Sequence, residues 1–330
     1  MVSFNKHLFL GFEGFNLDSE LEDYLMCFKA ESLIVFSRNW DSPEQFKKLL
    51  NSIRDLYNRN GLDQPLIGVD QEGGKVQRFK NGFIDFPSFY SLGQKFKKDA
   101  SLGHVYDLAL EKGRMLKGLG IDINFSPVLD VARNRNNPII HQLERSFSEN
   151  ERIVSLLSVV YSRGLMDSGI IPCGKHFPGH GGTDKDSHLE LPVVLDYPEK
   201  MFCDLVPFSS FISKGFNMLM SSHVLYPSID PDRPATLSQT INKGLLRKGL
   251  GFKGVLVSDD LCMKALYSNK IKEKFDINDL FLEALNAGND MVLVCHEEYA
   301  KKLNLKMLQK KSKGKFRDSK LRIDFLKSLT

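Results

Sequence analysis

Cysteine is scarce in this sequence, and its few cysteines are poorly placed for a structural role. Among 330 residues there are five, namely Cys27, Cys173, Cys203, Cys262 and Cys295, and no two of them form a C-x-x-C pair. An odd number of scattered cysteines argues against a disulfide framework and against a zinc site built from thiolates. The distribution is typical of a protein from a reducing compartment.

Long hydrophobic runs are absent as well. No stretch approaches the ~18 consecutive apolar residues that cross a bilayer. The segment "MVSFNKHLFLGFEGF" at the N-terminus lacks the long apolar core and the small-residue cleavage site of a secretory signal. We therefore expect a cytoplasmic protein with no membrane partner.

A strong charge of either sign is also lacking. The formal net charge is only +4, and much of the basic excess lies in a tail from about residue 300 that contains "KKLNLKMLQKKSKGKFRDSKLR". Such a tail could bind nucleic acid or an acidic membrane, but a solvated, basic final helix is the simpler interpretation. No module that combines aromatic and basic side chains stands out, so we expect no nucleic-acid partner.

What the sequence does contain is a regular series of short apolar runs rich in Val, Ile, Leu and Phe. They occupy residues 7–12, 32–37, 65–70, 121–131, 169–176, 217–224, 254–260 and 290–297. Most are continuously apolar rather than alternating, which is typical of strands covered on both faces in a parallel sheet.

Amphipathic helical patterns lie between these runs. In residues 42–58 an apolar stripe follows Ser42 as N-cap, Pro43 at the first helical position and Gln45 as partner in a capping box. A similar start, with Ser148 and Glu151, precedes the apolar stripe that follows. Further helices are predicted at 103–119, 198–214, 238–249, 276–287 and 297–311.

The alternation of strands and helices predicts the fold. About eight strand–helix units follow one another with no low-complexity linker, which favours a single (β/α)8 TIM-type barrel over residues 1–330. A doubly wound open sheet is the structural alternative, but no G-x-G-x-x-G follows the first strand. We expect this one domain to be a monomer.

Acidic residues and histidines cluster at the carboxyl ends of the predicted strands. Any strand must lead into a polar loop, but that requirement alone would supply Ser, Gly, Asn and Lys as readily as Asp and His. The carboxyl ends of the strands carry the active site in (β/α)8 barrels. The residues concerned are Asp70, Asp130, Lys175, His176, His223, Asp259, Asp260 and His296.

The densest polar group lies in "GKHFPGHGGTDKDSHLELP", residues 174–192. One interpretation is a metal cage, because His176 and His180 have the H-x-x-x-H spacing that places two imidazoles on one helix face. Pro178 and the glycines around it disfavour a helix here, so the metal alternative that stays open is a loop cage that uses Asp184 and Asp186. It is the weaker alternative, and we expect no metal and no cofactor.

A proton-transfer device is the stronger interpretation of the same segment. Asp186 and His188 are two residues apart, so in an extended segment their side chains project to the same side. Asp186 can then fix the tautomer of His188 and leave the other ring nitrogen free to exchange a proton near neutral pH. The glycines just upstream would allow this loop to move.

Five motifs in order along the chain carry a resemblance to a known family. They are "GVDQEGGKVQRF", "NFSPVLDV", "ERSF", "KHFPGHGGTDKDSH" and "GVLVSDDLCM". Together they resemble glycoside hydrolase family 3, and more narrowly its single-domain β-N-acetylglucosaminidases of peptidoglycan recycling. The resemblance extends from about residue 8 to about residue 296.

The resemblance implies a (β/α)8 barrel and a retaining, two-step hydrolysis of an N-acetylglucosamine-containing muropeptide. It gives Asp259 the position of the nucleophile, His188 that of the acid/base, and Asp186 that of its partner. The positions that bind the sugar hydroxyls are Asp70, Arg78, Arg145, Lys175 and His176. By spacing alone, Asp259 cannot be distinguished from Asp260, which we expect to have a supporting or capping role, and His180 is expected to be structural.

Two positions depart from the family pattern, and two other functions stay open. Leu143 stands where Gly is common, in a segment that looks slightly longer than usual, and Lys75 stands where Arg is frequent, which we expect to matter little. A phosphorylase of the same family, which transfers the sugar to phosphate, is one alternative function. A catalytically inactive sugar-binding protein is the other.

Overall fold

A computed structural model of the chain describes residues 4–187, 189–195, 198–268, 271 and 274–330. Within them, nine short strands pair in parallel in the order β5-β4-β3-β2-β1-β9-β8-β7-β6. The strands are β1 Leu8–Gly11, β2 Ser32–Val35, β3 Leu66–Val69, β4 Ile123–Asn124, β5 Ile171–Pro172, β6 Gly174–Phe177, β7 Met218–Ser221, β8 Val255–Asp260 and β9 Met291–Val294.

The ends of this sheet meet at the fifth predicted strand, which is divided at Cys173. Its first half, β5, pairs with β4, whereas its second half, β6, pairs with β7. A parallel bridge between Val128 and Lys175 joins the chain after β4 to β6. The sheet therefore forms a nearly closed barrel with eight strand positions, and the predicted (β/α)8 TIM-type fold is confirmed.

Strand burial explains why the apolar runs are continuous. Phe9 and Ile34 belong to a cluster inside the barrel, whereas Leu8, Leu10 and Leu33 pack in the layer between the strands and the helices. All of these side chains are buried. Side chains still alternate between the two faces of each strand, but both faces are apolar because helices cover the outside.

Helices surround the barrel in the described part of the chain. They are α1 Ser19–Phe28, α2 Pro43–Arg59, α3 Phe89–Asp99, α4 Leu102–Leu119, α5 Glu151–Asp167, α6 Pro198–Ser213, α7 Ile277–Ala287, α8 Glu297–Ala300, α9 Leu305–Ser312 and α10 Arg317–Lys327. A π-helix, Thr240–Gly249, occupies most of the predicted helix 238–249. Helix α3 was not predicted from the sequence, and the predicted helix 297–311 is divided into α8 and α9. None of the described helices combines the length and apolarity needed to span a bilayer.

Two predicted helix starts differ in detail from the structure. Ser42 does cap α2, since its side chain accepts from the backbone N–H of Gln45 at 3.2 Å. The side chain of Gln45, however, accepts from the N–H of Asp41 rather than from that of Ser42, so the predicted capping box is wrong. Asn150, not Ser148, caps α5, because its Oδ1 accepts from the first backbone N–H groups of the helix.

The basic final helix is not simply solvated. One face of α10 inserts Ile323 and Leu326 into the apolar cluster inside the barrel, and both side chains are fully buried. The opposite face carries Leu321 and Phe325, which are exposed. The sequence favours a solvated helix because its many lysines hide this apolar stripe.

Candidate active site

A cavity of about 380 Å³ opens at the carboxyl ends of the strands. Its walls come from strand ends and from the loops that follow β3, β4 and β6. Nearly all of the predicted site residues described by the structure line it, namely Asp70, Arg78, Arg145, Lys175, His176, Asp186 and Asp259. Asp260 and His296 also line it, whereas Asp130 and His223 are buried behind it.

The strongest electrostatic feature of the cavity is a pair of carboxylates that share one cation, the ammonium of Lys175. Asp70 follows β3, and its Oδ1 lies 2.8 Å from Nζ of Lys175, while its Oδ2 lies 3.3 Å from Nη2 of Arg78. Glu72 lies two residues further on, and its Oε1 lies 2.6 Å from the same Lys175 Nζ. Glu72 also accepts two hydrogen bonds from Arg145, at 2.9 and 2.8 Å.

These pairings determine the charge states of the groups. Burial alone would raise the pKa of Glu72, but the guanidinium of Arg145 and the ammonium of Lys175 outweigh burial and hold that pKa well below its usual range. Burial likewise opposes ionisation of Asp70, and Lys175 and Arg78 lower its pKa in turn. The cations respond in the opposite sense, so the pKa of Lys175 is raised despite its burial. Both carboxylates are therefore ionised at neutral pH.

A second set of contacts fixes the ring of His176. Its Nδ1 lies 2.6 Å from Oδ2 of Asp130, and its Nε2 lies 3.3 Å from Nη2 of Arg145. A carboxylate only accepts and a guanidinium only donates, so the geometry requires a neutral ring with its proton on Nδ1. His176 thus donates to Asp130 and accepts from Arg145, which orients the guanidinium in the cavity.

Asp259 and Asp260 end strand β8 and differ in what their carboxylates do. Oδ1 of Asp260 accepts from the backbone N–H of Cys262 at 3.0 Å and from that of Cys295 at 3.1 Å. It therefore ties β8 to the chain after β9, in keeping with the expected capping role. Oδ1 of Asp259 accepts from the N–H of Asp260 at 2.8 Å, which constrains the orientation of its carboxylate.

His223 supports the same strand end from behind. Its Nε2 lies 2.9 Å from the carbonyl oxygen of Asp260, and its Nδ1 lies 2.8 Å from Oγ1 of Thr236. Because a carbonyl only accepts, Nε2 carries the proton and donates to Asp260. The sequence identified His223 as a polar strand-end residue, and the structure gives it this contact to the backbone.

The loop after β6 brings Asp186 to the cavity. His180 anchors the loop, since its Nδ1 lies 2.9 Å from Oγ1 of Thr183 and its Nε2 lies 3.3 Å from Oγ of Ser187. The carbonyl of Ser187 accepts from the N–H of Ala265 at 3.2 Å. The predicted acid/base, His188, lies outside the described residues, so its contact with Asp186 stays a prediction.

Burial lowers the pKa of His180 to about 4. His180 is therefore neutral at pH 7, as suits a structural residue.

Among the described residues, no group of three or more His, Cys, Asp or Glu side chains could hold a metal ion. Gly181 has a packing role, because a Cβ there would meet the carbonyl oxygen of Val131 at 1.7 Å.

Glu72 was not predicted from the sequence as a site residue, and no partner was predicted for Asp130. Glu72 is a buried acid within "VDQEGG". The sequence signal that could have identified it is an acidic residue just after a predicted buried strand. Lys112 of α4 was also missed. It is fully buried, donates to the carbonyl of Glu72 at 2.5 Å and to the hydroxyl of Tyr161 at 3.0 Å, and burial lowers its pKa to about 7.

Comparisons with known proteins agree with this architecture. The family model described as "Glycosyl hydrolase family 3 N terminal domain" matches residues 7–324. A β-hexosaminidase of Thioalkalivibrio sulfidiphilus is 37% identical over 296 residues, which cover 88% of this chain and 81% of the relative.

Two solved structures are similar along nearly the whole chain. NagZ from Neisseria gonorrhoeae, in complex with N-trifluoroacetyl-D-glucosamine, is 32% identical with a TM-score of 0.81, over 97% of this chain and 89% of that one. A family 3 β-N-acetylglucosaminidase from Paenibacillus sp. is 32% identical with a TM-score of 0.90. The match covers all of this chain but only 62% of the Paenibacillus chain.

Proposed function

Since the chain belongs to glycoside hydrolase family 3 and is a glycosidase, we propose that it is a retaining β-N-acetylglucosaminidase. Its substrates are muropeptide fragments, from which it removes terminal β-linked N-acetylglucosamine. The observation that carries this proposal is the shared cavity of Asp259, Asp186 and the paired charges around Lys175. Relatives named β-hexosaminidase and NagZ support the sugar specificity.

Asp259 is the nucleophile of the first step in this proposal. One carboxylate oxygen accepts from the N–H of Asp260, so the second oxygen can attack the anomeric carbon while the first keeps the carboxylate oriented. The attack forms a covalent bond between Asp259 and the sugar as the bond to the leaving oxygen breaks. Oδ1 of Asp260 instead accepts from the backbone N–H groups of Cys262 and Cys295, so this carboxylate joins the ends of two strands, and the family motif gives Asp259 the position of the nucleophile.

His188 is the acid/base, oriented by Asp186. As an imidazolium it donates its proton to the departing oxygen, and Asp186 stabilises its positive charge. In the second step the neutral ring takes a proton from water, which attacks the anomeric carbon and releases Asp259. The contribution of Asp186 to the cavity wall supports this assignment, because it brings the loop to the same cavity as the nucleophile.

The paired charges bind the sugar hydroxyls. Asp70 accepts hydrogen bonds from hydroxyl groups, while Lys175, Arg78 and Arg145 donate to them. Because these groups already hold one another at 2.6–3.3 Å through Asp70 and Glu72, they are oriented before the sugar arrives. His176 contributes by orienting Arg145, because the single lone pair of its Nε2 already accepts from that guanidinium.

We expect the protein to act as a monomer in the cytoplasm, where it hydrolyses fragments of the cell wall. The natural substrate is a disaccharide of N-acetylglucosamine and anhydro-N-acetylmuramic acid, with or without a peptide. Relatives named β-hexosaminidase do not favour a phosphorylase or an inactive binding protein. Mass spectrometry of the products, with and without phosphate, distinguishes free N-acetylglucosamine from its 1-phosphate.

The deciding experiment combines that product analysis with Asp259→Asn. We expect the wild-type protein to release N-acetylglucosamine from purified muropeptides, and the variant to lose at least about 10³-fold in kcat on an aryl β-N-acetylglucosaminide. Asp63→Asn, at an exposed aspartate distant from the cavity wall, is the matched control. An Asp259→Asn protein that keeps its activity would show that the nucleophile lies elsewhere.

A further inference from the structure

We propose that Lys75 recognises a carboxylate on the leaving sugar, and that it thereby selects substrates whose leaving group is N-acetylmuramic acid or its anhydro form. This inference rests on the proposed function, since it assumes that the cavity cleaves a glycosidic bond. Lys at this position, where Arg is frequent in the family, keeps the positive charge on which the inference depends.

The charges of the cavity lead to Lys75. Its lysine and arginine lining residues are Lys75, Arg78, Arg145 and Lys175. Arg78 pairs with Asp70, Arg145 pairs with Glu72, and Lys175 pairs with both acids. Among the described residues, Lys75 has no carboxylate within ion-pairing distance. Among the described cations that line the cavity, Lys75 is therefore the one that can pair with a carboxylate of a ligand.

The position of Lys75 points to the leaving group rather than to the sugar that is bound deep in the cavity. The loop after β3 contacts the loop that contains Gln142 and Arg145 at two depths of the cavity. Arg145 and Glu72 form the inner contact, where both side chains are at least 90% buried. Lys75 Nζ and the carbonyl of Gln142 form the outer contact, 3.0 Å apart and exposed. An enzyme that removes a terminal sugar holds that sugar inside, so its leaving group extends toward Lys75.

The chemistry of the two sugars agrees with this arrangement. N-acetylglucosamine is uncharged, so hydrogen bonds from the paired groups suffice to hold it. Muramic acid without a peptide carries a lactyl ether that ends in a carboxylate, whereas an attached peptide converts this group into an uncharged amide. An ammonium group has three N–H donors, and Gln142 takes one of them, so two remain for a carboxylate. Leu143, which follows Gln142, also lines the cavity.

The test compares two substrates that differ only in this charge. One is N-acetylglucosaminyl-β-1,4-anhydro-N-acetylmuramic acid, and the other is its methyl ester. The quantity measured is the ratio of kcat/KM for the acid to kcat/KM for the ester. Because both values come from one enzyme preparation, any loss of folded protein cancels in the ratio.

We expect Lys75→Met to lower this ratio about three- to tenfold, chiefly through KM for the acid. Lys75→Arg keeps most of the ratio because it keeps the positive charge. Lys80→Met, at an exposed lysine outside the cavity wall, leaves the ratio as in the wild type. For the wild type, added salt lowers the ratio as well, because salt screens an exposed ion pair.

An unchanged ratio in Lys75→Met overturns the inference. This includes the case in which the variant loses activity equally on the acid and the ester. Failure of the proposed function is distinguished by other results. If the wild type releases N-acetylglucosamine from neither substrate, the proposed function fails whatever Lys75 does.

Discussion

The carboxylate of Glu72 holds the guanidinium of Arg145 through two parallel hydrogen bonds, from Nε to Oε2 at 2.9 Å and from Nη2 to Oε1 at 2.8 Å. The two residues are 73 positions apart in the sequence, on different loops. Both are buried, so the pair is protected from solvent screening. Because Lys175 binds the same carboxylate, Glu72 joins three segments of the cavity wall without being assigned a direct contact with the sugar.

Replacing Glu72 should therefore impair both stability and catalysis. We expect Glu72→Gln to lower the free energy of unfolding by about 3 kcal/mol, because it leaves two buried cations short of negative charge. We expect kcat/KM to fall about tenfold or more, because Arg145 and Lys175 lose their orientation. Denaturant unfolding and aryl-glycoside kinetics measure the two effects.

Glu149→Gln is the matched control for this change. Glu149 pairs with Lys97 at 2.9 Å, but its side chain is largely exposed, so its removal should cost under about 1 kcal/mol. If both variants lose the same stability, then burial of the Glu72 pair has no energetic importance.

A different kinetic signature is expected for His188, because it donates a proton to the leaving oxygen. His188→Ala should lower kcat/KM about 10²-fold or more on the muropeptide disaccharide, whose leaving group needs protonation. On an aryl glycoside with an acidic phenol, kcat/KM should fall far less. Steady-state kinetics on both substrates, with His104→Ala as control, measure the difference. Equal losses on the two substrates would contradict a general-acid role.

The buried imidazole of His180 predicts how stability depends on pH. Its pKa is about 4 in the folded protein and about 6.5 when exposed, so the unfolded chain binds a proton first as the pH falls. The free energy of unfolding is therefore highest above pH ~6.5 and decreases by about 3 kcal/mol as the pH falls from ~6.5 to ~4.

Denaturant unfolding between pH 7.5 and 4.5 measures this dependence. His180→Gln should show a shallower slope than the wild type in that window, although His7, whose pKa is also lowered by burial, keeps part of it. The carboxyls of Asp70 and Glu72, whose pKa values are depressed, act at lower pH, below their ordinary values. An identical slope in His180→Gln would mean that His180 is not the group responsible.

The final helix offers a test with an internal control. Leu326 is fully buried at the base of the barrel, whereas Leu321 of the same helix is 60% exposed. We expect Leu326→Ala to lower the free energy of unfolding by about 2–4 kcal/mol, and Leu321→Ala to change it by less than about 0.5 kcal/mol. Similar values for both variants would show that α10 does not seal the barrel in solution.

Much of the fold followed from local patterns. Helix α2 was predicted within a residue because an apolar stripe, an N-cap and a proline at the first position agree. The start of α5 was misplaced because Ser148 and Asn150 are both competent caps, and only the path of the chain decides between them. The final helix was misjudged because two buried positions are a weak signal among many lysines.

By itself the sequence determined the alternation of strands and helices, the barrel that it builds, and the strand ends at which Asp70, Lys175 and Asp259 stand. These follow from spacing along the chain, which a sequence displays directly. Only the tertiary structure decided the partners: Glu72 with Arg145, Asp130 with His176, and Lys75 with no carboxylate among the described residues. Such pairings depend on distances across the mouth of the barrel, and these distances exist only after the strands close.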